Sequence, residues 1–375
     1  MNASLLVDTC LAHGIDFYTG VPDSLLKSFC EELYRRWGTA GPTHMVAQNE
    51  GGAIGLCAGH FLATGRPACC YMQNSGLGNA VNPLASLMDV KVYALPCLLV
   101  IGWRGEPGVK DEPQHVRQGE ITLGQLDLME IPYLVLSPET SETDFLTGFQ
   151  RLMDAMAVGR CAAIVVRKGA FAPASVSLPE NGFTLSRESA AEIVISLSGE
   201  DDIFVSTTGK LSREIYEIRE RAGQDHRRDF LTVGSMGHAS MIALRLAQEL
   251  PSRRVWCLDG DGAALMHLGA LPVIGQASPK NFFHVLFNNQ CHETVGGMPV
   301  CNGALDGPEL ARAAGYRAVC SAEDEVTLER ALGRLRETAG PALLEIRCAR
   351  GARADLGRPA TTPRENRDAF MSFLQ

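Results

Sequence analysis

Short apolar runs alternate with longer amphipathic stretches along both halves of the chain, and this alternation predicts strands that alternate with helices. In the first half, the apolar runs predict strands near residues 15–20, 43–48, 67–72, 94–102, 132–136 and 161–167. In the second half, they predict strands near residues 202–207, 229–233, 254–259, 281–287, 316–320 and 342–348. The pattern therefore predicts an α/β protein with two doubly wound parallel sheets.

The stretch from Pro173 to Asn181 interrupts this pattern in the middle of the chain. It contains prolines and serines without the periodicity of a strand or a helix, which is typical of a linker. We therefore predict a first domain over residues 1–172, a linker over 173–183 and a second domain over 184–375. A chain of 375 residues, 46% of them hydrophobic, is long enough to form two such cores.

The composition excludes several classes of protein. A net charge of −9 argues against a nucleic-acid partner. The 12 cysteines are scattered, without the spacing of metal ligands or of a disulfide framework, and this indicates reduced core residues. The chain starts without a basic region or a cleavage site, and no apolar run is long enough to span a bilayer. We expect a cytoplasmic protein with no membrane partner.

The candidate chemistry begins with the Gly-Asp-Gly run at residues 260–262, directly after the predicted strand 254–259. Ligands of open α/β sheets bind at this end of a strand. The glycines allow backbone N–H groups to approach phosphate, while oxygens of Asp261 and Asn289 suit a hard divalent cation, with a backbone carbonyl near Cys291 as a third ligand. The combination favours a magnesium diphosphate site. A tight turn is the alternative for the Gly-Asp-Gly run alone.

The Gly-Asp-Gly run and Asn289 together resemble the signature of thiamine-diphosphate enzymes. Those enzymes also need a carboxylate on the aminopyrimidine ring of the cofactor, supplied by another domain. Residues 46–55 run from a strand end into a helix of small residues, and Glu50 matches the family's catalytic glutamate. The alternative for Glu50 is a first-turn glutamate favoured by the helix dipole. The resemblance implies a pyrimidine-binding first domain, a diphosphate-binding second domain, no middle domain, and thiamine diphosphate and Mg2+ as cofactors.

Two turns in the second half also match cofactor-binding positions of this family. Residues 207–210, Thr-Thr-Gly-Lys, end a strand and open a helix, where phosphate can meet backbone N–H groups. Met236 matches the bulky apolar residue over which the cofactor bends, although a core methionine is the alternative. The resemblance implies these cofactor-binding residues: Glu50, Gly78, Asn79, Thr208, Gly209, Ser235, Met236, Gly260, Asp261, Gly262, Ala263 and Asn289. The implied metal ligands are Asp261, Asn289 and Cys291.

Three polar segments, residues 20–27, 101–115 and 289–299, follow predicted strands and emerge at the edge where ligands bind. Charged loops of this size also occur as solvated surface. Together the three segments closely resemble the phosphonopyruvate decarboxylase family, and the resemblance runs through nearly the whole chain. It implies decarboxylation of 3-phosphonopyruvate to phosphonoacetaldehyde and carbon dioxide, in phosphonate biosynthesis.

A substrate with a carboxylate and a phosphonate presents about three negative charges, which a guanidinium, an ammonium or helix-end amides can bind. Arg104 is the first candidate for the phosphonate, because Gly102 and Gly105 allow a close turn beside it. The substrate-binding candidates are Arg104, Lys27, Ser24 and Gln114, with His115 as a further cation. The candidates for catalysis and proton transfer are Glu50, Asp23, His115 and His292. For Arg104 and Lys27, the alternative is an ion pair with Glu106, Asp111 or Glu112.

Other functions remain open at this point. Sulfopyruvate decarboxylase shares the reaction and the cofactor, with a sulfonate in place of the phosphonate. A carboligase or pyruvate-type decarboxylase is disfavoured by the missing middle domain, and a non-catalytic cofactor-binding subunit by the intact Glu50, Asp261 and Asn289. The family resemblance also implies a homodimer or larger homo-oligomer, with active sites at the subunit interface.

Overall fold

The computed structural model describes residues 1–174 and 180–375. The chain divides into two compact units, Met1–Leu178 and Pro179–Gln375. Residues 175–179 of the predicted linker 173–183 lie outside the described residues, and the domain limits drawn from the sequence remain predictions.

The described part of the first unit contains six strands and the helices between them. The strands are β1 Tyr18–Gly20, β2 His44–Val46, β3 Ala68–Gln73, β4 Cys97–Gly102, β5 Tyr133–Leu136 and β6 Ala162–Val166. The helices are α1 Ala3–Ala12, α2 Lys27–Trp37, α3 Glu50–Thr64, α4 Asn74–Pro83 with the π-helical turn Leu84–Met88, α5 Pro113–Leu128 and α6 Glu142–Ala157. All neighbouring strands are parallel, in the order β2-β1-β3-β4-β6-β5.

The described part of the second unit contains a second parallel sheet and a short antiparallel hairpin. The strands are β7 Ile203–Ser206, β8 Asp229–Leu231, β9 Val255–Gly260, β10 Phe282–Asn288, β11 Cys291–His292, β12 Met298–Pro299, β13 Ala318–Ala322 and β14 Ala342–Arg347. The helices are α7 Arg187–Ser196, α8 Lys210–Arg221, α9 Ala239–Glu249, α10 Asp261–Met266, α11 Ala270–Ala277, α12 Gly307–Ala313, α13 Glu325–Arg336 and α14 Pro363–Leu374, with the 3-10 turn Glu293–Val295. The sheet order is β13-β14-β10-β9-β7-β8, and β11 pairs with β12.

The two sheets have the same connectivity. In each, the second strand lies on one side of the first and the third strand lies on the other side, so the chain switches direction between β1 and β3 and between β7 and β9. Open α/β sheets bind ligands outside the carboxyl ends of the strands at such a point. The prediction of two doubly wound parallel sheets is confirmed, and each sheet strand overlaps a predicted one. The hairpin β11–β12 was not predicted, because its strands are too short to show a period.

The central strands are buried on both faces because helices cover both sides of each sheet. Strands β4 and β6 are buried along their whole lengths. All 12 cysteines are free thiols, and most lie in the two cores. Within the described residues, no helix combines the length and the apolar character needed to cross a bilayer.

A buried ion pair joins α8 to β8 in the second unit. The guanidinium of Arg219 donates to both carboxylate oxygens of Asp229, from Nε at 2.9 Å and from Nη2 at 2.8 Å. Neither side chain is more than 1% exposed. The Asp229 backbone oxygen also accepts from Asn366 on α14, at 2.8 Å. Removing one partner of such a pair leaves an uncompensated charge inside the protein.

We expect Arg219→Met to lower the free energy of unfolding of the second unit by about 3–5 kcal/mol, because Asp229 would stay buried without a counter-charge. Urea unfolding measures this change. Arg221→Met is the matched control on the same helix, because the Arg221 side chain is 45% exposed and its ion pair with Glu188 contributes about 1 kcal/mol or less. Equal losses in the two variants would contradict this prediction.

Candidate active site

Glu50 is the first residue of α3, which follows β2 in the first unit. Asn49 caps the helix, since its side-chain oxygen accepts from the Gly52 backbone N–H at 2.8 Å. The Glu50 side chain is buried, and its Oε2 accepts from Nδ2 of Asn79 at 2.9 Å. The local sequence therefore starts a helix at Glu50 and turns its carboxylate inward, toward α4.

The glycine that makes room for this carboxylate is Gly76. A Cβ added to Gly76 would lie 2.3 Å from Oε1 of Glu50, so any larger residue would displace the carboxylate. Gly78, the predicted cofactor-binding glycine, has no described heavy atom within 4 Å of an added Cβ. Gly76 was not predicted as a site residue, although its place in the small-residue start of α4 was a signal.

Asp23 lies after β1, at the switch point of the first sheet. Its Oδ1 accepts from Nε2 of Gln73 at 2.6 Å, and its Oδ2 accepts from the Leu25 backbone N–H at 2.8 Å. A Cβ on Gly102 would lie 2.2 Å from Oδ2, so the end of β4 must be glycine. Burial raises the pKa of Asp23, and the hydrogen bonds from Gln73 and Leu25 offset only part of this effect. Gln73 was not predicted as a site residue.

Arg104 follows β4 and is held as a planar fork. Its Nε and Nη2 donate to the two carboxylate oxygens of Asp111, the former at 2.8 Å, and its Nη1 donates to Oγ of Ser24 at 2.9 Å. The predicted alternative of an ion pair is therefore present, with Asp111 as the partner. Glu106 pairs with Arg167 instead. These bonds use three of the five guanidinium N–H groups, and the Arg104 side chain is 20% exposed.

The other substrate candidates of the first unit differ in their surroundings. Lys27 lies 3.6 Å from Glu31, and its side chain is 48% exposed. His115 is buried on α5, and its Nδ1 has no hydrogen-bond partner among the described residues. Burial, followed by the Arg104 charge, lowers the pKa of His115 to about 4, so the ring is neutral at pH 7. The buried Oε1 of Gln114 also has no partner in the described part of the chain.

Asp261 is the first residue of α10, directly after β9. Its Oδ1 accepts from the Gly262 backbone N–H at 2.8 Å, while its buried Oδ2 accepts no hydrogen bond from a described residue. Burial raises the pKa of Asp261 to about 7, and the nearby N–H groups of Gly262 and Gln290 lower it only in part. A divalent cation would satisfy Oδ2 and favour the charged carboxylate. This orphaned oxygen therefore fits the predicted metal site.

Asn289 follows β10, and its side chain is almost fully buried. Its Oδ1 accepts from the Cys291 backbone N–H at 3.2 Å, and its Nδ2 donates to Oε2 of Glu293 at 3.2 Å. Burial raises the pKa of the Cys291 thiol, which leaves the predicted backbone carbonyl as the suitable oxygen donor at this residue. Glu293 was not predicted as a site residue.

Glycines bring the remaining predicted segments of the second unit close together. A Cβ on Gly262 would lie 2.8 Å from Nδ1 of His292 and 3.4 Å from Cε of Met236. A Cβ on Gly237 would lie 2.9 Å from the Ala263 backbone oxygen. Burial lowers the pKa of His292 to about 4, so this ring is also neutral at pH 7.

The two turns that precede α8 and α9 are also joined. The Gly234 backbone N–H donates to Oγ1 of Thr208 at 3.0 Å, and the next residue, Ser235, has a left-handed φ of 49°. Gly209 has φ 109°, and a Cβ there would lie 2.7 Å from Oγ1 of Thr294. Thr207, which belongs to the predicted turn 207–210 but not to the predicted cofactor-binding residues, has a buried Oγ1 without a partner among the described residues. Two unpaired polar atoms, on Thr207 and Asp261, therefore lie at the ends of the adjacent strands β7 and β9.

These residues fit thiamine diphosphate and Mg2+. The first unit offers the buried Glu50 carboxylate for a ring nitrogen, and the second offers hydroxyls and glycine-lined turns for phosphate. Asp261, the Asn289 amide oxygen and a carbonyl at Cys291 are oxygen donors of the kind that magnesium prefers, and these residues would hold it.

A second group of metal-binding side chain types, Cys257, Asp259 and His284, lies within the core of the second unit. Its His284 Nε2 lies 3.4 Å from Oδ2 of Asp259, and Tyr316 Oη lies 3.3 Å from Nδ1 of the same ring. Asp259 Oδ1 accepts from the Gly260 backbone N–H at 2.9 Å. We interpret this group as a hydrogen-bonded support for the strand end that carries Asp261.

Comparison with known proteins identifies the family of both units. Residues 2–131 match the N-terminal TPP binding domain of thiamine pyrophosphate enzymes, and residues 208–346 match the C-terminal TPP binding domain. Thiamine pyrophosphate and TPP are other names for thiamine diphosphate. The two matches contain Glu50 and Asp261, respectively.

Curated relatives extend this similarity along the whole chain. A phosphonopyruvate decarboxylase of Streptomyces viridochromogenes is 33% identical over 100% of this chain and 95% of its own length. Another, from Streptomyces hygroscopicus, is 32% identical over 100% of this chain and 94% of its own. A sulfopyruvate decarboxylase of Methanosarcina acetivorans is 27% identical over 77% of this chain and 76% of its own. With both domains present, the chain belongs to the phosphonopyruvate decarboxylase family of thiamine pyrophosphate enzymes, and it is a 2-oxo acid decarboxylase.

Proposed function

We propose that this enzyme uses thiamine diphosphate and Mg2+ to decarboxylate 3-phosphonopyruvate to phosphonoacetaldehyde and carbon dioxide, a step of phosphonate biosynthesis. The similarity to two phosphonopyruvate decarboxylases over nearly their entire lengths carries this proposal. The described residues support it with a guanidinium fork and a buried acid at the switch point of the first sheet.

Arg104 is the proposed phosphonate ligand. The carboxylate of Asp111 and the hydroxyl of Ser24 hold its guanidinium in one orientation, so little side-chain entropy is lost when an anion binds. A planar fork of this kind can donate two parallel hydrogen bonds to a phosphonate. Lys27 is the weaker candidate, because its exposed ammonium is already close to Glu31.

The acid and base roles follow from the surroundings of each group. Thiamine diphosphate supplies, when bound, the electron sink that accepts the electron pair left by carbon dioxide. Glu50 would hold the aminopyrimidine ring through its carboxylate, to which Asn79 donates a hydrogen bond. Burial raises the pKa of Asp23, so this side chain stays protonated at a higher pH than an exposed aspartate does. His115 and His292 are neutral at pH 7, and each would become a cation on taking up a proton, which burial disfavours, so they suit hydrogen bonding to the substrate better than proton storage.

Sulfopyruvate is the second candidate substrate, because a sulfopyruvate decarboxylase is also similar over most of this chain. A sulfonate carries one negative charge, whereas a phosphonate carries nearly two at pH 7. The greater coverage and identity of the phosphonopyruvate decarboxylases favour the phosphonate.

We further propose a homo-oligomer in the cytoplasm. The exposed apolar side chains of the first unit support an interface, because Val90 and Leu128, which line one surface pocket, are 42% and 87% exposed. The 12 free cysteines support a reducing compartment.

We expect purified protein to release carbon dioxide from phosphonopyruvate only when thiamine diphosphate and magnesium are both present. Sulfopyruvate and pyruvate, assayed in parallel, should give lower kcat/KM values because they lack the dianionic phosphonate. A coupled assay for carbon dioxide measures all three. A preference for sulfopyruvate would move the assignment to sulfopyruvate decarboxylase, and equal rates for pyruvate would contradict phosphonate recognition.

We expect Glu50→Gln to reduce kcat by about 10²–10⁴-fold, the usual loss for a proton-transfer group, while thiamine diphosphate still binds. Steady-state kinetics and calorimetric titration of the cofactor measure the two effects. Glu142→Gln is the matched control, because Glu142 also begins a helix but is exposed. If Glu50→Gln kept near-normal turnover with cofactor bound, the proposed role of Glu50 would be wrong.

We expect Arg104→Ala to raise the KM for phosphonopyruvate about 30-fold, equivalent to about 2 kcal/mol, and the KM for pyruvate by less than about threefold. Arg104→Lys should lie between, since it keeps the charge but loses the fork. Arg117→Ala on α5 is the control, because its side chain is 80% exposed. Similar increases for both substrates would indicate a structural role for Arg104 instead.

A further inference from the structure

Glu293 connects three segments of the second unit at the predicted metal site. Its side chain is 12% exposed and lies in the 3-10 turn that follows β11. Its Oε2 accepts from Asn289 Nδ2 at 3.2 Å and from the Gly351 backbone N–H at 2.8 Å. Its Oε1 accepts from Lys210 Nζ at 3.1 Å. One carboxylate therefore ties the end of β10, the segment after β14 and the start of α8 together.

The contact with Asn289 has a chemical consequence for metal binding. A side-chain amide has an oxygen end that can bind a cation and a nitrogen end that cannot, and rotation of the amide exchanges them. A carboxylate only accepts hydrogen bonds, so Glu293 selects the orientation in which Nδ2 faces it and Oδ1 faces away. The Cys291 backbone N–H, which donates to Oδ1, favours the same orientation.

From this geometry we propose that Glu293 is a positioning residue for the metal site: its carboxylate fixes the Asn289 amide so that the side-chain oxygen is presented to the divalent cation. The inference rests on the proposed function, because it assumes the magnesium diphosphate site. Groups that orient metal ligands in this way commonly change metal affinity by about 10–100-fold when they are removed.

Lys210 completes the arrangement. A carboxylate beside a diphosphate site would repel the anionic cofactor, and the Lys210 ammonium compensates its charge. The residue before α8, Gly209, also packs closely against the turn that carries Glu293, because a Cβ on Gly209 would clash with Oγ1 of Thr294. The Glu293 carboxylate can therefore orient Asn289 without adding net negative charge next to the phosphates.

The test is the affinity for magnesium, measured by calorimetry at a fixed concentration of thiamine diphosphate. We expect Glu293→Ala to weaken magnesium binding about 10–100-fold, with kcat at saturating magnesium within about threefold of the wild-type value. Glu293→Gln should give a smaller loss, because glutamine can accept from Asn289 but can also donate to a rotated amide.

Glu217→Ala is the matched control. The Glu217 carboxylate also accepts from a backbone N–H, that of Gly357 at 2.6 Å, and also pairs with a basic side chain, Arg353. Its removal should lower stability without changing magnesium affinity, and thermal melting of all variants compares the structural effects.

A magnesium affinity within about twofold of wild type in Glu293→Ala would overturn the inference. A loss of kcat that saturating magnesium does not restore would overturn it too, because a positioning role acts through metal affinity. Wild-type protein that bound neither magnesium nor thiamine diphosphate would overturn the proposed cofactors as well. The substrate proposal fails separately, because magnesium affinity does not depend on which 2-oxo acid is decarboxylated.

Discussion

Buried carboxylates at the carboxyl ends of parallel strands are the constraint on which the rest of this structure depends. Glu50, Asp23 and Asp261 are each at most 8% exposed, and an uncompensated charge in such a place is costly. The first two are satisfied by side-chain amides of their own unit, from Asn79 and Gln73. Asp261 keeps one oxygen without a partner among the described residues, and the proposed cation would satisfy it. Gly76 and Gly102 follow from the same constraint, since a Cβ there would clash with the carboxylate oxygens of Glu50 and Asp23, respectively.

The two units use one topology for different chemistry. Both sheets switch direction between their first and third strands, so both expose a ligand-binding edge. At this edge the first unit presents the side chains of Asp23, Gln73 and Arg104, which can bind an organic acid and carry a proton. The second unit presents glycine-rich turns and the Asp261 oxygen, which suit phosphate and metal. Recognition of an organic acid depends on its shape and therefore needs specific side chains. Phosphate, in contrast, can be bound by backbone N–H groups, which glycine-rich turns expose.

The sequence predicted the strands of the two parallel sheets because each lies in a short, largely apolar run, and the central ones are buried on both faces. It predicted Asp261 and Asn289 as site residues because each directly follows such a strand. It did not predict Gln73, because Gln73 meets Asp23 across the switch point, 50 positions away. It did not predict Glu293 either, because two of its three partners, Lys210 and Gly351, are distant in the sequence. Gly76 was missed for the same reason, since only the folded position of Glu50 requires a glycine there. Local patterns identify elements and their ends, but pairs of distant polar residues depend on the packing.

If Arg104 binds the phosphonate as proposed, its pairing with Asp111 would contribute to selectivity. An isolated guanidinium would attract any 2-oxo acid through its charge, including pyruvate. The Asp111 carboxylate neutralises much of the Arg104 charge. In turn, hydrogen bonds from Arg104 and from backbone N–H groups hold the pKa of Asp111 well below its usual range, although burial alone would raise it. Long-range attraction is thereby weakened, while the remaining N–H groups keep their direction. A ligand then gains most if it brings its own second charge and two oxygens at the spacing of the fork. A phosphonate has both, and a substrate without that group would be bound through its carboxylate and keto group alone.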